Sequence, residues 1–386
     1  MKKTVLVLAL LAAFAAGVGT TLSTQNLLRR PEPESPALEK AKEVYQVLDT
    51  YYIGEVDEDV MCDAVAEGMV YSTGDRWSYY IPAEDMDVHM EQINNSYVGI
   101  GVTVQISEGN TFEVMEVVPG GPAFQAGVKV GDVFVSVDGT SCEGMELSDL
   151  RNLVRGEEGT EVRITFARDG VETEYSIVRA SLETEVVSER MIGDTGYIAI
   201  YNFDATSAEK AIAAVRRLQS QGAKSLLFDV RYNPGGLKSE LLKLLDFLLP
   251  EGDLFRSQDY LGRESVDKSD PACVDLPMAV LINQDSYSAA EFFAAALSEY
   301  GVAKTFGTQT CGKGYFQVTR PLSDGSAINL SIGKYFTPKG VSLADVGGLV
   351  PDETVELSED DAMQLALHKL EPEDDEQLQA ALASLK

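Results

Sequence analysis

The chain has 386 residues, 45% of them hydrophobic and 24% charged, and a formal net charge of −31. That length allows two or three domains with cores of their own, and the composition excludes an intrinsically disordered chain. The charge excludes nucleic-acid binding, which neutralises phosphates with clustered Lys and Arg, and otherwise speaks for solubility rather than for a partner.

The N-terminus carries an address. Lys2 and Lys3 precede an apolar, charge-free run from Thr4 to Leu22. As a signal peptide, Thr4–Ala12 is its apolar region and Ala13-Phe14-Ala15 its cleavage site. As an anchor, its 19 residues just span a hydrocarbon core of about 30 Å. Both readings send the rest of the chain out of the cytoplasm, secreted or membrane-anchored by a single helix, because the positive flank stays inside. The uncleaved anchor is slightly the better fit. Residues 1–23 are therefore the leader, and 24–36, ending in Arg30-Pro31-Glu32-Pro33-Glu34-Ser35-Pro36, a linker.

Residues 37–95 are predicted helical, with apolar residues at helical spacing through Val44, Val47 and Leu48 and again through Met61, Ala64, Val65 and Met69. Over 96–182 the period changes. Short β runs (Ile100–Val104, Phe112–Val118, Val133–Val137, Val162–Phe166) are broken by Pro119-Gly120-Gly121, Asp138-Gly139 and Asp169-Gly170, with helices at Pro122–Ala126 and Met145–Val154. From 183 to 357 strands alternate with helices. Strands Gly196–Ile200, Leu226–Val230 and Met278–Ile282 are followed by helices Ser207–Gln221, Ser239–Leu249 and Ala289–Tyr300. Continuous apolar strands imply a sheet covered on both faces, so the fold class is α/β, mixed α+β over the whole chain. Residues 358–386 read as an acidic tail with one amphipathic stretch, Ala362–Leu370.

Several chemistries are missing. The two histidines, His89 and His368, lie far from any strand-to-helix turn, which leaves a Ser-His-Asp triad without support and assigns both to surface or structural duty. No His-Glu-x-x-His, Walker loop or Gly-x-Gly-x-x-Gly after a strand occurs. Cys62, Cys142, Cys273 and Cys311 have no metal spacing and are expected to be mostly small buried hydrophobes. Neither a metal nor an organic cofactor is expected.

Three segments carry chemistry. Asn283-Gln284-Asp285-Ser286-Tyr287-Ser288-Ala289-Ala290-Glu291 joins a buried strand to a helix. Ser288 therefore sits at a helix N-terminus, where unpaired N–H groups favour developing negative charge. A capping box of Ser288 with Glu291 accounts for the same residues. Lys313, in Thr310-Cys311-Gly312-Lys313-Gly314-Tyr315-Phe316-Gln317, is a base only if its pKa of about 10.4 falls by roughly 3, which takes about 4 kcal/mol. Burial beside Tyr315 and Phe316 would supply that; a solvated loop lysine is the plain alternative. The third is Asp229-Val230-Arg231-Tyr232-Asn233-Pro234-Gly235-Gly236, whose glycine N–H groups could hold an oxyanion or merely connect a strand to a helix.

These segments together resemble the carboxyl-terminal processing (tail-specific) serine peptidases. Their order matches, as do the 25 positions from Ser288 to Lys313, Gln317 four residues beyond the lysine, Tyr335-Phe336-Thr337-Pro338, Gly348-Leu349-Val350-Pro351-Asp352, and Gly74-Asp75-Arg76-Trp77-Ser78-Tyr79-Tyr80 in the N-terminal region. The resemblance covers roughly residues 40–357. It implies that Ser288 attacks the scissile carbonyl, that Lys313 takes and returns the proton, and that Gln317 positions Lys313. The oxyanion would be held by the N–H of Ala289 and of Gly235 or Gly236. Ala290 and Cys311 depart from the commoner serine and aromatic of the family.

Residues 96–182 resemble a PDZ domain. Tyr97-Val98-Gly99-Ile100-Gly101 is similar to its carboxylate-binding loop, supported by Val117–Ala123 and Gly131–Gly139. A peptide would add beside Ile100–Val104 with its last side chain in an apolar pocket. The implied partners are protein or peptide substrates with apolar C-termini and, if the leader stays, a membrane; homo-oligomerisation is left open. The alternatives are a catalytically silent PDZ adaptor on a peptidase-like scaffold and a ligand-binding protein on the same core. Retention of Ser288, Lys313 and Gln317 speaks against both.

Overall fold

The computed structural model describes residues 35–107, 109–367 and 369–386. The leader expectation for 1–23, nearly all of the linker and His368 lie outside them. Among the described residues no helix is long and apolar enough to cross a membrane.

The chain forms two compact units, Met1–Gly68 and Met69–Lys386. In the described part of the first, helix α1 (Pro36–Tyr51) starts on a proline, whose missing N–H costs nothing at a helix start. Helix α2 (Glu58–Tyr71) begins where Asp57 Oδ1 accepts from the N–H groups of Asp59 and Val60. Tyr45 donates to Glu58 Oε1 at 2.9 Å.

The second unit opens with a departure from the expected helical region. Tyr79–Ile81 forms strand β1, and only then does helix α3 (Met86–Asn94) follow, ended by Asn95 in the left-handed region. Strand β2 (Ser96–Gly99) leads into the β-rich module and pairs antiparallel with the strand that leaves it, Ala180–Glu183. Inside, strands β3 (Val102–Ser107), β4 (Thr111–Val117), β5 (Val133–Val137), Glu161–Arg168 and Val171–Val178 stand in that order, with β3 at the edge. Strict alternation buries Val162, Ile164 and Phe166 together against Phe112, Phe134 and Leu150. Leu150 comes from the module's helix Leu147–Val154.

The peptidase-like core is built on parallel strands Thr195–Ile200, Ser225–Asp229, Met278–Ile282 and Ala303–Gly307, flanked by the antiparallel Val187–Ile192 and the short Glu353–Thr354. Every residue of Ser225–Asp229 and Met278–Ile282 is buried, as a sheet covered on both faces requires. Leu226, Phe228 and Val280 face the helices Ser207–Ser220, Lys238–Leu248 and Ala289–Tyr300. The opposite face, Leu227, Ala279, Leu281 and Phe306, is sealed by Leu378, Ala381 and Leu382 of Glu376–Ser384. Beyond the amphipathic stretch expected at Ala362–Leu370, the acidic C-terminal residues thus contain a further helix with one buried apolar stripe.

A second, antiparallel sheet packs beside the first, in the order β1, Ala327–Phe336, Gly252–Asp259, Glu264–Ser269, with Tyr315–Pro321 also paired to Ala327–Phe336. Of the four cysteines, only Cys142 is buried; Cys62 and Cys273 are exposed and Cys311 is half-buried, so the expectation of buried hydrophobes holds for one.

Candidate active site

Four loops leave the carboxyl ends of the parallel strands and meet in one place, where open α/β sheets place their sites. They are 201–206, 230–237, 283–288 and 308–314.

Ser288 stands at the sharp turn from Met278–Ile282 into its helix, with φ 57° and ψ −120°. A residue with a Cβ is costly there, and the surroundings hold it by over-determination. Glu291, fully buried, accepts from the Ser288 N–H at 3.0 Å and the Lys313 N–H at 2.6 Å through Oε1, and from Thr310 Oγ1 at 2.8 Å and the Gly312 N–H at 2.9 Å through Oε2. One carboxylate therefore joins the serine turn to the lysine turn. Burial raises its pKa and these donors oppose the rise. The capping reading of Glu291 was right about the Ser288 N–H and missed the other three donors.

The glycine turn is bound to the serine turn as well. The Tyr287 N–H donates to Asn233 O, Ser286 Oγ to Val230 O, and the Tyr232 N–H to Asn283 Oδ1. A Cβ on Gly235 would lie 2.7 Å from Ser288 Cβ, and one on Gly236 2.5 Å from the Phe203 carbonyl carbon. No side chain fits at either position. The two glycines also differ as donors: the Gly235 N–H is engaged by Asn233 Oδ1 at 2.8 Å, whereas no hydrogen bond among the described residues engages the N–H of Gly236 or of Ala289. Behind this turn Arg231 is buried against Asp229 and, at 2.7 Å, Asp375 from the C-terminal segment.

Ser288 and Lys313 line a single cavity of about 660 Å³, with Ala289, Gly235, Gly236, Gln317, Trp77 and Tyr335. Desolvation lowers the Lys313 pKa from the ordinary lysine value, against the opposing pull of Glu291 and Asp75. Its Nζ lies 4.5 Å from the centre of the Trp77 ring, which also packs on Tyr287 at 5.7 Å. No hydrogen bond joins Ser288 Oγ to Lys313 Nζ among the described residues. Tyr335 lines the same cavity, its hydroxyl donating to Lys313 O. Gln317 lines the cavity, but its Nε2 is held by Tyr315 O at 3.1 Å and Ser331 Oγ at 3.0 Å rather than by the lysine.

Trp77 and Tyr335 are cavity residues that motif reading left without roles, and Glu291 was read only as a cap. Trp77 arrives on the segment just before β1, anchored by Ser78 Oγ to Asp75 at 2.6 Å and by the Ser331 N–H to Ser78 Oγ at 3.0 Å. Its being the only tryptophan was the one available signal. His89, expected to have surface or structural duty, also lines the cavity, with Nε2 3.4 Å from Thr319 Oγ1.

In the β-rich module, Tyr97, Gly99, Ile100 and Gly101 line a second cavity of about 220 Å³ with Val102, Val104, Phe134, Leu150 and Val154. Val98 does not line it and pairs with Ser181 instead. The cavity lies between helix Leu147–Val154 and β3, whose outer edge has no strand partner among the described residues.

A serine at a strained strand-to-helix turn thus shares one cavity with a desolvated lysine and a glycine turn, and the β-rich module has an apolar cavity of its own. The chain belongs to peptidase family S41 and is a serine peptidase with a PDZ domain. Residues 194–355 match Peptidase family S41 and residues 113–168 the PDZ domain. A "Probable CtpA-like serine protease" of Staphylococcus saprophyticus is 30% identical over 358 residues, 92% of this chain and 72% of that protein. One of the same description from Staphylococcus aureus is 30% identical over 355 residues, 88% and 71% of the two chains. The solved putative S41 protease from Bacteroides fragilis shares the fold, with a TM-score of 0.54 at 18% identity over 92% of this chain and 98% of that one.

Proposed function

We propose that the chain is an extracytoplasmic endopeptidase with a Ser288–Lys313 dyad, processing or degrading proteins whose apolar C-termini the PDZ domain captures. The observation that carries this reading is a single one: a lysine desolvated under Trp77 shares a cavity with a serine held in a forbidden backbone conformation. In the reaction, neutral Lys313 removes the Oγ proton as Ser288 attacks the carbonyl carbon. The oxyanion is held by the N–H groups of Ala289 and Gly236, the two left unengaged. Lys313 then returns the proton to the leaving amine, and water releases the acyl group by the same steps. The step requires Nζ to leave its place against the Trp77 ring and reach Oγ. Gln317, tethered through Nε2, keeps Oε1 to orient the ammonium. The PDZ role is supported by the open edge of β3 beside an apolar cavity. The localisation rests on the two lysines and apolar run that begin the chain.

The test is degradation of an unfolded substrate by wild type, Ser288→Ala, Lys313→Ala and Lys313→Arg, with melting curves for each. All three variants should stay folded and lose turnover by about 10³-fold or more, the arginine because a guanidinium stays protonated. Wild-type turnover should rise with pH as Lys313 loses its proton, on a limb that starts below the ordinary lysine range, since only the neutral amine is active. Robust proteolysis by any of the three would sink the dyad.

A further inference from the structure

We propose that Asp204 forms a subsite for a basic side chain of the substrate, lysine or arginine, next to the scissile bond. The proposal rests on the Ser288 reading above and names a substrate feature which that reading leaves open.

Asp204 is the only carboxylate among the residues lining the cavity of Ser288 and Lys313. Its backbone is fixed: the N–H donates to Asn202 Oδ1 at 3.1 Å and the carbonyl accepts from the Ser207 N–H at 3.1 Å. Its carboxylate has no hydrogen-bond or ion-pair partner among the described residues. The cations around the same cavity are committed elsewhere. Lys238 Nζ holds Asp267 Oδ2 at 2.6 Å, Arg76 donates to Cys311 Sγ at 3.2 Å, and Lys313 lies against Trp77. His89 on the same wall is held towards its neutral form by burial.

The position is close to the chemistry. A Cβ built on Gly236 would lie 2.8 Å from Asp204 N, and one built on Gly235 2.7 Å from Ser288 Cβ. Asp204 is therefore one backbone layer behind the glycine turn that flanks the nucleophile. Its cavity neighbours Ile93, Leu237 and Leu241 form an apolar wall of the kind the stem of a long basic side chain covers while its charged head reaches a carboxylate.

Asp204 is half-buried on the cavity wall, and partial desolvation pushes its carboxyl up to about 7. No cation of the described residues pairs with it, so a cation of the substrate can do so as the peptide closes the cavity. A charge-assisted bond in a site closed by peptide is stronger than one in water. The formal charge of −31 also favours the approach of cationic chains.

The experiment compares wild type, Ser288→Ala and Asp204→Asn on a peptide library varied on both sides of the cleaved bond, with cleavage sites read by mass spectrometry. Matched peptides carrying lysine or norleucine at the preferred position are then assayed for kcat/KM. Wild type should show lysine and arginine enriched at one position beside the cleaved bond. Asp204→Asn should lose that enrichment, with kcat/KM falling about tenfold on the lysine peptide and little on the norleucine one. Its melting temperature should stay near that of wild type, since the half-buried carboxyl makes no bond to another described residue. An unchanged preference in Asp204→Asn, or equal use of the two peptides by wild type while Ser288→Ala is dead, overturns the subsite alone. Cleavage by Ser288→Ala at the wild-type rate overturns the nucleophile, and the subsite with it.

Discussion

The PDZ domain and the peptidase core both place non-glycine residues in the left-handed region, and they do so with different residues for different reasons. In the PDZ domain these are Asn110, Asp138 and Asp169, each beside a glycine in a turn between strands. Asn and Asp tolerate that conformation because their short side chains bond the local backbone. In the core they are Thr206, Tyr232 and Ser288, a β-branched residue, an aromatic and a serine, and all three lie in the loops that build the cavity. Nothing local makes those conformations cheap. Tyr232 and Ser288 are held by buried cross-bonds between loops, through Asn283 Oδ1 and Glu291. The turns of one domain follow local sequence, and those of the other are imposed by tertiary contacts.

Three variants would break or sharpen that contrast. Glu291→Gln removes an acceptor from a carboxylate with four donors. We expect kcat to fall by about 10²- to 10³-fold with KM nearly unchanged, because the groups lost hold the nucleophile and the base in register rather than the substrate. Steady-state kinetics with a melting curve check this, and a variant with wild-type kcat would mean that Ser288 is held by its own turn. Next, Asp375→Ala leaves Arg231 with Asp229 and Gln377 Oε1 but without its second carboxylate, and should cost about 3 kcal/mol of stability, read from denaturant unfolding. A change below 1 kcal/mol would put that pair among weak surface bridges. Smallest is Val104→Asp in the PDZ groove. KM for substrates with apolar C-termini should rise about tenfold with kcat unchanged, the signature of lost uniform binding. An equal loss on substrates with charged C-termini would show that the groove does not read the tail.

Much of the site was legible because its chemistry is carried by short segments. The turn Asn283–Ser288, the glycine pair at 235 and 236, and Lys313 are each local patterns, and their strands and helices fall within a few residues of the periodicities that predict them. Gln317, expected to position Lys313, lines the cavity with its Nε2 bonded to Tyr315 O and Ser331 Oγ. What did not follow depends on side chains meeting across long stretches of sequence. Trp77 covers Lys313 across more than half the chain, the Tyr335 hydroxyl donates to Lys313 O, and Arg231 meets Asp375.

By itself, the sequence determined the order of elements, the two domain types and the short segments that meet at the cavity, because periodicity, turn chemistry and reactive groups are properties of neighbouring residues. Tertiary structure alone decided that one carboxylate would clasp two loops, that an acidic C-terminal stretch would seal the sheet, and that Asp204 would face the cavity unpaired. Desolvation and hydrogen-bond saturation arise only when distant segments exclude water from the same place.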